Sequence, residues 1–166
     1  AQYCPQADLV WDHFHLVQQF NEALNNERKA EWDRRKDAEA DEDLLAGKYR
    51  YIYLTKATNR SALDRQHMDE VMGRNQKIAQ MEFIKEHFHK VFTQQDMQDG
   101  HKMLCECYEW SVEIKAPYLA KYFWNLLERN EFLNYFKHRI TSGVSEGVNR
   151  AIKTLKWIAY GYKDML

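Results

Sequence analysis

Proline and glycine are scarce in this chain, 2 and 6 among 166 residues. So few chain breakers argue against a fold of many short strands and turns and leave room for long helices. Cysteine is also rare. Three residues, an odd number, do not make a disulfide framework and predict free thiols in a reducing compartment. No apolar run reaches the roughly 20 residues that a membrane-crossing helix needs, and no secretory signal pattern opens the chain. A net charge of -1 argues neither for nor against a polyanionic partner. Neither a glycine-rich phosphate loop nor a nucleophile motif is present.

Aromatic residues are plentiful: ten Tyr, eight Phe and five Trp. The length suits one domain with a real core, or one domain carrying an insertion. The opening AQYCPQADLVWD has no Met and reads as the middle of a domain, which predicts a fragment.

Residues 7–11, ADLVW, are an apolar run ending at Asp12 and predict a buried strand. Functional residues sit at the carboxyl ends of strands in open α/β sheets, the place Asp12 takes. A long helix should follow, with Phe14, Val17, Phe20, Asn21 and Leu24 on its inner stripe. Glu27 to Asp43 holds five basic and eight acidic residues, which predicts a solvated extension of that helix and a connection. Residues 48–56, KYRYIYLTK, alternate and predict a second short strand or extended segment. The remainder reads as helices: one capped by Ser61 through Met72, one over 74–92, one capped by Thr93 and reaching Ile114, one starting at Pro117 and ending near Glu128, and one over 131–138.

The last helix, within SGVSEGVNRAIKTLKWIAYGYKD (142–164), has two faces. Val148, Ala151, Ile152, Leu155 and Ala159 form the apolar one; Glu146, Asn149, Arg150, Lys153 and Lys156 form the other. From Lys137 onward six Lys/Arg stand against two acids, a plausible phosphate-facing strip. Glu146 is either a helix-start acid paired with Arg150 or something more specific. Gly147 beside it costs about 1 kcal/mol in a helix but admits close approach of a large ligand backbone.

Other constellations are weaker. EHFH at 86–89 echoes DHFH at 12–15, yet His87 and His89 point to different sides of a helix and would not chelate together. His101 and Cys105 share a helix face, while Cys107 points elsewhere; structural zinc wants four ligands, and buried thiols are the expected outcome. The aromatic stretch 107–136 could stack bases but reads as core, with Arg129, Lys137 and Arg139 nearby.

Asp12-His13-Phe14-His15 and the run from Ser142 through Gly143, Glu146, Gly147, Asn149, Ile152 and Lys153 resemble the D-x-F-H and S-G-x-x-E-G-x-N-x-x-I-K elements of bacterial insertion-sequence transposases of the DDE type. GKYRYIYLTK and MEFIKEHF look, more loosely, like that family's helical insertion. The resemblance implies a mainly α chain: a helical insertion at 27–138, and at 1–26 and 139–166 the remnant of an RNase H-like α/β core with one or two short strands. It implies that Asp12 is the second metal-binding Asp and Glu146 the Glu, holding Mg²⁺ for DNA cleavage and strand transfer. The first Asp has no counterpart here, so the fragment is expected to be inactive alone. Asn149, Arg150, Lys153 and Lys156 would contact DNA. Transposon ends and target DNA are the implied partners, with a homo-oligomeric active assembly in the bacterial cytoplasm and no membrane. The alternatives are a non-enzymatic helical interaction or DNA-binding module, and a small helical metal protein.

Overall fold

The computed structural model describes residues 10–35, 44–138 and 150–155. Every regular element among them is helical: α1 (His13–Arg35), α2 (Arg50–Leu54), α3 (Ala62–Arg74), α4 (Gln76–Val91), α5 (Met97–Glu113), α6 (Pro117–Leu127) and α7 (Asn134–His138), with 3₁₀ turns at Gly47–Tyr49, Ala57–Asn59 and Asn130–Leu133. Residues 150–155 are also helical. The mainly α expectation holds. The strand expected at 7–11 falls largely outside the described residues, and Val10 and Trp11 are irregular.

The strand expected at 48–56 is instead a 3₁₀ turn running into α2. Strict alternation would have placed Tyr49, Tyr51 and Tyr53 on one face. Instead Tyr53 is buried and donates to the Leu44 carbonyl at 2.6 Å, while Tyr51 is 73% exposed. A lone strand leaves its backbone groups unpaired, whereas a helical turn satisfies them internally.

Local chemistry sets most helix ends. Ser61 and Asp64 form a reciprocal capping box at α3. Asn75 caps α4 by accepting from Ile78 N at 3.1 Å. Asp96, not Thr93, caps α5 by accepting from Gln98 N; Thr93 donates its hydroxyl to the Lys90 carbonyl and closes α4. Helix α5 stops at a reversal in which Lys115 N bonds Val112 O and Ala116 N bonds Ser111 O, a Schellman end. Lys115 there has φ 55°, where glycine is the usual occupant. Pro117 then begins α6.

The core lies where α1, α4, α5 and α6 meet. Leu16, Phe20, Ala23 and Leu24 form the apolar stripe of α1, with Val17 packed against the core; Phe20, Leu24 and Val17 stand where the sequence placed them. Phe14 is 56% exposed, because it falls on the outer side of the helix. Phe20, Phe88 and Phe123 interlock with ring centroids 4.4–5.9 Å apart, beside Leu104 and Leu119. Each such phenylalanine contributes about 2–3 kcal/mol through burial.

Beyond Leu24 the same stripe becomes charged yet stays inside. Glu27, Arg28 and Glu31 are all buried, contrary to the solvated extension expected. Each has dedicated partners, as buried polar groups require. Glu27 accepts from Tyr118 N at 2.6 Å, supplying from α1 the cap that Ala116 cannot give α6, and it also faces Lys77 Nζ at 3.3 Å. Arg28 binds Asn25 and the Leu45 carbonyl. Glu31 binds Asn75, Arg34 and Arg35. Burial would raise the Glu31 pKa, but the hydrogen bonds from Arg34 and Asn75 hold it below the ordinary value.

Candidate functional site

Asp12 sits at the start of α1 and caps it. Its carbonyl accepts from Leu16 N at 3.1 Å and its Oδ1 from Phe14 N at 3.3 Å. Its Oδ2 lies 2.6 Å from His15 Nδ1. The Asp12 side chain is 18% exposed and that of His15 63%, so the pair stands at the surface end of the bundle. The carboxylate is thereby fixed in orientation while remaining reachable.

Behind Asp12 lies a nest of bases. His13 packs edge-on against Phe92 at 4.2 Å and faces Tyr135. Burial lowers its pKa, Lys56 adds to this, and Asp12 opposes it. His89 is 7% exposed, lies against Phe20 and Phe88, and neither ring nitrogen has a hydrogen-bond partner. Burial pushes its pKa down to about 4, with Lys56 acting in the same sense and Glu86 opposing. Burial disfavours the charged form of both rings, and the Lys56 charge acts on both in the same sense.

The segment carrying Lys56 is pinned by a buried ionic cluster. Arg60 grips Glu82 with both guanidinium nitrogens at 2.6 and 2.8 Å and donates to the Ile52 carbonyl. Lys85, fully buried, reaches Glu82, Glu86 and the Thr55 carbonyl, the last at 2.7 Å. Glu86 accepts from Ala57 N at 2.9 Å. Burial lowers the Lys85 pKa, opposed by Glu82. These charges stay paired across segments roughly thirty positions apart in sequence, and they hold 52–60 against α4. Neither Lys56 nor this cluster stands out in the sequence, and His89 figures there only as a partner of His87. The usable signal was the density of Lys, Glu and His at i, i+3, i+4 spacing in MEFIKEHFHK.

The other expected site residues divide. Arg150 and Lys153 lie on an exposed helical stretch; Glu146, Asn149 and Lys156 fall outside the described residues, and so does Arg139. Arg129 stacks its guanidinium over Trp11 at 5.2 Å, directly before Asp12. His101 and Cys105 do meet, Nδ1 to Sγ at 3.7 Å. Cys107 is buried separately, and burial raises its thiol pKa. No group of three His, Cys, Asp or Glu able to hold a metal occurs among the described residues. His87 bonds Glu106 at 2.9 Å rather than pairing with His89. Most of the aromatic stretch is core, with Leu119, Phe123, Phe132 and Phe136 buried. No helix among the described residues is long and apolar enough to cross a membrane.

A transposase family model of the ISL3 type matches residues 1–166, the whole chain. The chain belongs to that transposase family. It is 23% identical over 172 residues to the transposase for insertion sequence element IS1001 of Bordetella parapertussis, an overlap covering 98% of this chain and 40% of that protein. The transposase chain thus spans about two-fifths of the length of the curated relative it matches. No solved structure matches it.

Proposed function

We propose that this transposase chain supplies two metal-binding carboxylates, Asp12 and Glu146, to an enzyme that cleaves DNA at the ends of a mobile element and joins them to a target. The single observation that carries the reading is the Asp12 carboxylate: reachable from solvent, anchored by a backbone amide and oriented by His15. A carboxylate with one oxygen held by a neighbouring imidazole is the kind of oxygen donor a hard cation takes. On this reading residues 1–26 and 139–166 belong to the catalytic core, 27–138 form a helical insertion, and the remaining carboxylate lies outside these 166 residues.

Mg²⁺, when bound, would activate the attacking oxygen and stabilise the leaving one in an in-line displacement at phosphorus. This chain's own part is positional. Asp12 and Glu146 would hold the metal. His15 keeps the Asp12 carboxylate in one orientation. Arg150, Lys153 and Lys156 would neutralise phosphates flanking Glu146 and Asn149 would hydrogen-bond the same DNA, while Lys56 would neutralise phosphate on the α1 side. Self-association of the active assembly is part of the same proposal.

The test is strand cleavage and strand transfer by the complete enzyme carrying Glu146→Gln. Transfer should vanish while DNA binding stays within about twofold, since the substitution removes a metal ligand and no phosphate contact. Retained transfer would sink the assignment.

A further inference from the structure

A groove of about 570 Å³ runs along the outer side of α1 and is walled on its far side by α2. Its floor is a single stripe of α1: Phe14, Gln18, Asn21, Asn25 and Lys29, spaced at i, i+4, i+7, i+11 and i+15, with Arg50 facing them from α2. The stripe begins two residues from Asp12. Val17 and Leu54 line the groove too, so it joins apolar groups to carboxamides and two cations, with Glu22 as its acid.

Three features point to one ligand class. Phe14 is 56% exposed at the end nearest Asp12, where a flat partner could stack on it. The Asn21 Oδ1 is buried in the groove without a hydrogen-bond partner, and a buried acceptor without a donor calls for one from a ligand or solvent. Lys29 and Arg50 provide charge for phosphate. Carboxamides pair with base edges, cations with phosphates and an aromatic ring with a base face. From Phe14 to Lys29 the stripe is about 22 Å long, the span of about six nucleotides at helical spacing.

We infer that this groove binds unpaired nucleotides of the DNA strand leading away from the phosphate presented to Asp12, with Phe14 stacking on the first base and the Gln18 and Asn21 carboxamides contacting base edges. The inference rests on the proposed function, because it takes the Asp12 end as the place where DNA is cut.

The complete enzyme would be compared with its Phe14→Ala, Gln18→Ala, Arg50→Ala triple variant by fluorescence anisotropy. The two probes are an element-end duplex that is blunt and the same duplex with an unpaired tail of about six nucleotides. All three side chains are exposed, so the fold should survive; if thermal melting shows otherwise, Arg50→Glu alone carries the test. The expected result is about a tenfold loss of affinity for the tailed duplex and less than about a twofold loss for the blunt one. Equal losses on both probes, or none, would overturn the groove assignment. If the unaltered enzyme neither binds nor cuts element ends, the proposed function fails first; if it does both and the variant matches it, only the groove assignment fails.

Discussion

His15 Nδ1 and Asp12 Oδ2 lie 2.6 Å apart, three residues apart on the first turn of α1. A helix cap and an oriented carboxylate are thus the same side chain, and the two roles separate by substitution. Asp12→Ala should cost about 1 kcal/mol of stability by uncapping α1, whereas Asp12→Asn should keep the cap and lose only the charge. Thermal denaturation of the two variants checks the difference.

His15 acts through Asp12. His15→Ala should reduce cleavage by about 10–100-fold and raise the Mg²⁺ concentration needed for half-maximal rate. A drop in rate with an unchanged metal requirement would place His15 in DNA contact instead. The side chain is largely exposed, so melting temperature should barely move.

The Arg60–Glu82–Lys85 cluster should be costly to break and cheap to neutralise. Glu82→Ala leaves two buried cations without their shared acid and should destabilise by about 3–5 kcal/mol. The double variant Lys85→Met, Glu86→Gln should cost much less than the sum of its single changes, since the pair interacts directly. Urea unfolding of the four proteins tests this.

Acid should loosen the bundle. His89 is neutral when folded, with its pKa pushed from 6.5 to about 4. The unfolded chain therefore binds more protons between these values, and stability is full above about 6.5 and falls as pH drops toward 4. The lowered His13 acts in the same sense. Below that window Glu31 and Glu86, whose pKa values are depressed in the fold, add their own loss. His89→Leu should remove up to about 3 kcal/mol of the stability change between pH 6.5 and 4, as read from denaturation midpoints across pH.

Gly100 has no space for a side chain, because a Cβ there would overlap the Phe136 ring of α7. Gly100→Ala should destabilise by about 1–3 kcal/mol despite its better helix propensity. Adding Phe136→Leu should recover part of that loss, measurable as a coupling in a double-mutant cycle.

What the sequence disclosed and what it concealed follow from the range of the forces involved. Ser61 and Pro117 mark their helix starts because caps act within three residues. The end motifs disclosed the family for the same reason: they are contiguous. Glu27 and Arg28 were misread as solvated because their partners, Tyr118 and the Leu45 carbonyl, are 91 and 17 positions away. Alternation at 48–56 suggested a strand, but no second strand is placed beside it among the described residues, and Tyr53 turned inward to Leu44. Thr93 looked like a cap and spent its hydroxyl on the preceding helix. His89 shares a helix face with Glu82, Lys85 and Glu86, but burial, which spacing does not disclose, sets its state.

The central claim is that Asp12 and Glu146 hold the same metal centre. Replacing Mg²⁺ by Fe²⁺ in the DNA-bound complete enzyme, then adding ascorbate and peroxide, cuts the polypeptide next to the bound ion. Backbone cuts should cluster around residues 12 and 146, and both sets should vanish in Asp12→Asn. Cuts confined to the region of His101 and Cys105, or absent from either acid, would contradict it.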